Sequence, residues 1–122
     1  MENLDFRPTR LEVDLDNLKS NFKNIRGIVK KDTLISAVIK ADAYGHGAVE
    51  CAKAFLDAGC DRLCVSTLEE GIELRNHNID SEILLLNNVS IEHFKYLFRY
   101  NLTPSIYNLE SALALNELAK EK

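Results

Sequence analysis

The amino-acid sequence predicts an α/β fold with parallel strands, on three observations. Short apolar runs alternate with stretches of helical period, the runs end about every 20 to 27 residues, and most helical stretches carry a cap signal at one end. Strands separated by helices are joined by right-handed crossovers, which makes the strands parallel and lays the helices against the sheet. An open doubly wound sheet and an eight-stranded (βα)8 barrel both satisfy the pattern. A barrel of this kind needs about 200 residues or more, so a chain of 122 residues would hold its first half. The helical pattern still running at the last residue points the same way.

The elements follow in chain order. Leu11, Val13 and Leu15 alternate as a strand does, and then the period changes. Leu18, Phe22, Ile25 and Val29 fall on one face of a helix. "LISAVI", residues 34–39, is continuously apolar and β-branched, as expected of a strand buried on both faces. Ala48, Cys51, Ala52, Phe55 and Leu56 form the next helical stripe, with Gly59 as its left-handed cap. "RLCVS" at 62–66 predicts a second buried strand. Thr67 and Glu70 then make a capping box, in which hydroxyl and carboxylate each satisfy a free backbone donor, for a helix to about Asn76. "EILLL" at 82–86 is a third strand, and Ser90 caps a helix through Phe98. "LTPSIY" at 102–107 is a fourth, confined to an edge or a strand start because Pro104 donates no ladder hydrogen bond. Asn108 caps a last helix carrying Leu109, Ala112, Leu113 and Leu118.

Composition narrows the functional classes. An apolar share of 46% with 28% charged residues is that of a globular chain, which removes disordered and low-complexity readings. A net charge of -4 without a basic stripe argues against a nucleic-acid partner. No apolar run reaches the roughly 18 to 20 residues that span a bilayer, and "MENLDFRPTR" lacks the apolar centre of a signal peptide. A cytoplasmic protein with no membrane partner is expected. Cys51, Cys60 and Cys64 are odd in number and form no Cys-x-x-Cys pair. They are expected as small buried apolar residues, with neither a disulfide framework nor a metal site.

Ligands of parallel α/β folds sit at the carboxyl ends of the strands. The residues just past the four predicted strands are Lys40, Thr67, Asn87 and Asn108, and of these Lys40 alone carries a nucleophile. In "AVIKADAYGHG", residues 37–47, the buried run ends in an amine that can form a Schiff base with the carbonyl of a substrate or of pyridoxal phosphate. A lysine reaching from a strand end into solvent fits the same position. Tyr44 falls where the loop meets the next helix, and Gly45 and Gly47 let backbone approach a bound group. A helix amino terminus and a phenol both suit phosphate, while a half-buried rim tyrosine is the plainer alternative. His46 is expected as a hydrogen-bonding loop residue without a catalytic role.

"AVIKADAYGHG" resembles the pyridoxal phosphate attachment motif of alanine racemases, whose usual form has Asn where this chain has Asp42. The resemblance continues through "RLEVDLDNLKSNFKNIR", "DRLCVSTLEEGIELR" and "ILLL" followed by "LTPSIY", and so covers nearly the whole chain. It implies an α/β fold that is the first half of a (βα)8 TIM-type barrel. Residues 1–122 would be the amino-terminal part of the barrel domain, with the rest of the barrel and a carboxyl-terminal β-domain outside them. It implies pyridoxal 5'-phosphate as cofactor. Lys40 would match the lysine that carries the cofactor and then acts as acid or base on one face of the substrate. Tyr44 would match the phosphate-binding tyrosine, and Val38 and Leu86 apolar positions lining the cofactor pocket.

The implied reaction interconverts L- and D-alanine, supplying D-alanine for cell-wall peptidoglycan. It is carried out by a homodimer in which a tyrosine from the partner's carboxyl-terminal domain is the opposing base. The charge of Asp42 bears on substrate preference, with serine or another amino acid as the alternative. The competing readings are a non-enzymatic pyridoxal phosphate carrier on a similar barrel and a catalytically inactive fragment. "AYGHG" and the front segment fit racemases better.

Overall fold

A computed structural model describes residue 6 and residues 8–121. Helix α1 (Leu15–Ile28) starts at Asp14, whose carboxylate accepts from the backbone N–H groups of Asp16 and Asn17. The strand expected over Leu11, Val13 and Leu15 is not formed: residues 11–14 are irregular and Leu15 is already helical. Alternation alone makes no strand without a neighbouring ladder, and the four-stranded sheet contains no segment from this part of the chain. On α1, Phe22 is buried and Leu18 packs against the core, whereas Ile25 is half exposed.

The strands are β1 (Ser36–Val38), β2 (Arg62–Val65), β3 (Glu82–Leu85) and β4 (Thr103–Pro104). They pair in parallel in the order β1-β2-β3-β4. A doubly wound sheet reverses its strand order at a switch point and carries helices on both faces. Here the order follows the sequence, and the helices cover the face of Ala37, Ile39, Leu63, Val65, Ile83 and Leu85, which form the core with Phe22, Leu74 and Phe94. This is the progression of a (βα)8 barrel. Burial on both faces, expected for 34–39, fails for β1. Ser36 and Val38 alternate with buried Ala37, and Val38 is 54% exposed. Pro104 sits in the edge strand, where a missing N–H costs no ladder bond.

The left-handed cap after α3 (Ala48–Asp57) is present. Gly59 has φ +93, and the N–H of Cys60 reaches back to the Phe55 carbonyl at 2.9 Å. The capping box also forms: Thr67 Oγ1 accepts from the Glu70 N–H, and the Glu70 carboxylate accepts from the Thr67 N–H, opening α4 (Leu68–Asn76). Ser90 behaves otherwise. Its side chain makes no cap hydrogen bond, and a 3-10 turn over Ile91–His93 precedes α5 (Phe94–Arg99). Asn108 caps α6 (Leu109–Lys120) by accepting from the Ser111 N–H at 2.8 Å. The packed face of α6 is that of Ser111, Ala114, Leu115 and Leu118, so Leu109 and Leu113 stay largely exposed. Cys51, Cys60 and Cys64 are free and buried, as small apolar residues are.

Two arginines close the amino-terminal edge of the sheet. Arg75, at the end of α4, donates to the carbonyls of Ile79, Ser81, Tyr100 and Asn101, tying together the loops that enter β3 and β4. Burial pushes its guanidinium down from the usual arginine value. Arg26, at the end of α1, donates to the Thr33 carbonyl at 2.6 Å and pairs with Asp61, whose carboxylate also accepts from the Ile35 N–H at 2.6 Å. Helix ends leave carbonyls without partners, and cations collect there.

Candidate active site

The opposite edge of the sheet carries the predicted site. The ladder runs one step past β1, with the Ile39 N–H on the Cys64 carbonyl at 2.9 Å, and then the chain turns at Lys40. Residues Lys40–Gly45 form a short helical segment, α2, in which Ala41, Asp42, Ala43 and Tyr44 all have φ between 50° and 54°. This is one turn of left-handed helix made from residues other than glycine. Such a conformation costs roughly 1–2 kcal/mol per residue, and four in succession persist only where surrounding bonds hold them.

Those bonds are specific. The Ala41 N–H donates to Glu70 Oε1 at 2.7 Å. The Ala43 N–H donates to the Ile39 carbonyl, the His46 N–H to Ala43 and the Gly47 N–H to Asp42. Asp42 Oδ1 accepts from the Ala48 N–H at 2.7 Å and so caps α3 from six residues upstream. His46 Nδ1 lies 2.8 Å from the Ala43 carbonyl, a structural contact in keeping with its expected loop role. Gly45 and Gly47 both have φ +87, and among the described residues no heavy atom beyond the adjoining residues lies within 4 Å of where a Cβ would be. The backbone conformation, not close approach within this chain, selects glycine there.

The two-residue period of the strands places the other candidates. Val38, Cys64 and Leu84 are in register on the face away from the helices. Lys40, Ser66 and Leu86 follow as the next layer toward the mouth. Lys40 is partly buried. None of the six ion pairs among the described residues uses it. Leu86 is partly buried, with its N–H on the Val65 carbonyl at 2.8 Å. Tyr44, at the end of the left-handed turn, is 73% exposed with its phenol at the rim. The structure thus gathers Lys40, Tyr44, Val38 and Leu86 at one sheet edge, but not in one cleft. Val38 lines a small cleft with Leu18, Ile39, Ala43, His46 and Phe55, and Lys40, Tyr44 and Leu86 do not line it.

The first N–H of α3 is not open to a phosphate, because the Asp42 carboxylate already holds it. Asparagine, the usual residue there in the resembling motif, offers the same Oδ1, so the cap accounts for either residue. Burial pushes the thiols of Cys51 and Cys64 up, which leaves neither as a ready nucleophile. The donor set that remains fits pyridoxal phosphate: an amine, an exposed phenol four residues on, and apolar walls below.

Three side chains at this edge have bonds that the sequence does not signal. Glu70 was legible only as a helix cap, and nothing in its spacing from Ala41 signals their bond. Tyr107 lies just past β4 and donates its hydroxyl to the Leu86 carbonyl, while Ser105 Oγ donates to Leu85 at 2.7 Å. Both hold the backbone of the Leu86 layer.

Residues 13–122 match the family model described as the alanine racemase N-terminal domain. An alanine racemase of Halothermothrix orenii is 42% identical over 113 residues, which cover 93% of this chain and 30% of that protein. A solved alanine racemase of Clostridium difficile 630 superposes with a TM-score of 0.84 at 45% identity, covering 88% of this chain and 29% of that one. A solved histidine racemase of Leuconostoc mesenteroides superposes with a TM-score of 0.77 at 27% identity, covering 84% of this chain and 27% of that one. The chain spans about 30% of the length of the curated relatives it matches. With its attachment-like motif, its parallel half-barrel and a family match over residues 13–122, the chain belongs to the alanine racemase family.

Proposed function

We propose that the protein serves the pyridoxal phosphate-dependent interconversion of L- and D-alanine, with Lys40 as the cofactor lysine. The observation that carries this reading is the left-handed turn. The family's attachment-like sequence is bent, at a cost in backbone energy, so that Lys40 emerges at the carboxyl edge of a parallel sheet. In this proposal residues 1–122 are the amino-terminal part of a barrel domain. The product is D-alanine for peptidoglycan, made in the cytoplasm by a homodimer of a longer chain.

Racemisation removes a proton from one face of the α-carbon and returns one to the other. The cofactor, when bound, supplies the electron sink for the charge left on that carbon. The Lys40 amine anchors the cofactor and holds or takes the proton on its own face. Tyr44 donates a hydrogen bond to the phosphate, and Val38 and Leu86 form the apolar wall that keeps water from the ring. The acid or base of the second face comes from a partner subunit. No helix among the described residues is long and apolar enough to cross a membrane.

The test has two arms. Pyridoxal phosphate is titrated into the protein, trapped with borohydride and mapped by mass spectrometry, with the label expected on Lys40 and absent from Lys40→Ala. The matched segment is also exchanged into the Halothermothrix orenii racemase, where racemisation of alanine is expected and Lys40→Ala should abolish it. Racemisation surviving Lys40→Ala would overturn the assignment. Cofactor label without turnover in the chimera would favour the carrier reading, and faster turnover of serine or histidine would correct the substrate.

A further inference from the structure

Glu70 is a capping-box residue by sequence, yet its carboxylate does more than the box requires. Oε2 accepts from the N–H groups of Ser66 at 2.7 Å and Thr67 at 3.1 Å, which completes the box. Oε1 turns across to the neighbouring strand end and accepts from the Ala41 N–H at 2.7 Å. That N–H belongs to the peptide joining Lys40 to Ala41, and Ala41 is the first of the four left-handed residues. We propose that Glu70 is the positioning residue for Lys40: its second oxygen fixes the peptide that follows the lysine, and with it the direction in which the amine leaves the sheet. The inference rests on the cofactor role of Lys40 proposed above.

The geometry supports this in three ways. A left-handed turn leaves its first N–H groups without partners inside the turn, as any helix start does, and a charged acceptor from another element supplies one. Ser66, whose N–H bonds the same carboxylate, lies between Lys40 and Leu86 in the mouth layer, so one side chain holds two adjacent strand ends in register. The remaining bonds of the turn arise within residues 39–48. The Ile39 N–H on the Cys64 carbonyl holds the chain just before the turn, and among the described residues Glu70 is the side chain from another element that hydrogen-bonds the turn itself.

A carboxylate can serve both sides because both of its oxygens accept. Glutamine has one acceptor oxygen and fills a capping box as well as glutamate does. In Glu70→Gln the oxygen is expected to stay with Ser66 and Thr67, leaving the amide NH2 facing the Ala41 N–H, donor against donor. Thr67→Ala is the reciprocal change: it removes the hydroxyl half of the box and leaves the carboxylate on Ala41.

The experiment compares the protein with these two variants, each checked for fold by circular dichroism. It follows amide exchange at Ala41 and the rate at which pyridoxal phosphate with borohydride labels Lys40. In Glu70→Gln, Ala41 exchange should rise and Lys40 labelling fall, each by about tenfold or more, the change expected from one charge-assisted hydrogen bond. In Thr67→Ala both should stay within about twofold of the unchanged protein, since the bond to Ala41 survives. Equal effects in the two variants would reduce Glu70 to an ordinary cap, and no effect in Glu70→Gln would overturn the proposal. Should Glu70→Gln fail to fold, a backbone ester in place of the Lys40–Ala41 amide deletes the donor alone and must reproduce the loss of labelling. Failure of the parent reading looks different: Lys40 goes unlabelled in the unchanged protein, while Ala41 exchange still separates Glu70→Gln from Thr67→Ala.

Discussion

The two edges of the sheet are held differently, one by arginines with a paired aspartate and the other by carboxylates. At the amino-terminal edge Arg75 and Arg26 donate to carbonyls, four of them around Arg75 alone. At the carboxyl edge Glu70 and Asp42 accept from backbone N–H groups. In βα units the helices run back against the strands, so their carbonyl ends lie under the sheet and their N–H ends at its mouth. The lower edge therefore recruits arginines, with Asp61 as the partner of one of them, and the upper edge carboxylates. The lower ties join loops, with a single left-handed residue, Asn101, among the acceptors of Arg75, and serve stability. The upper ties hold a left-handed turn that a stable fold does not need, and they hold it beside Lys40.

This contrast can be broken from either side. The largest stability effect is expected at the lower edge. Arg75→Ala leaves its carbonyls without their donor and should lower the unfolding free energy by about 3 kcal/mol. Urea denaturation reads the loss, and the folded fraction should still label on Lys40. A folded Arg75→Ala protein that no longer labels would show that the two edges are not separable.

Asp61 comes next, through pH. The Ile35 N–H and then the Arg26 guanidinium hold its carboxyl below the usual aspartate range. The stability it contributes is complete above the unfolded value of about 4 and is lost as pH falls through the lower folded value. Asp61→Asn should flatten that acid limb and leave the urea midpoint near pH 7 lower than that of the unchanged protein. An unaltered acid limb would remove Asp61 from the lower clamp.

The smaller effects sharpen the upper edge. Asp42→Ala deletes the remote cap of α3 and should cost about 1 kcal/mol. Asp42→Asn keeps Oδ1 on the Ala48 N–H and should change stability by less than about 0.5 kcal/mol. If Asp42→Asn leaves stability alone but changes which amino acid is racemised in the chimera, the charge acts on substrate, as the sequence suggested, beyond its part in the cap.

Much of the architecture was legible because its signals are local. Thr67 with Glu70, Asn108 and Gly59 each satisfy a backbone group within a few residues, so their patterns survive in one dimension. Readings that depended on neighbours failed. The alternation of Leu11, Val13 and Leu15 found no partner strand, and the apolar run 34–39 found cover on one face only. Ser90 had the residue type of a cap but not the geometry. For the left-handed turn the sequence predicts only a loop, since Ala41, Ala43 and Tyr44 have no intrinsic preference for positive φ.

The sequence by itself determined the alternation of strands and helices, the lysine at a strand end and the family resemblance, because periodicity and motif are properties of neighbours along the chain. The tertiary structure decided the consecutive strand order, the open face on which Val38 lies, and the second use of Glu70. Each of those depends on groups brought together by folding. Ala41 and Glu70 are 29 residues apart in sequence, and no local rule foretells that the oxygen left over from a helix cap holds the peptide beside Lys40.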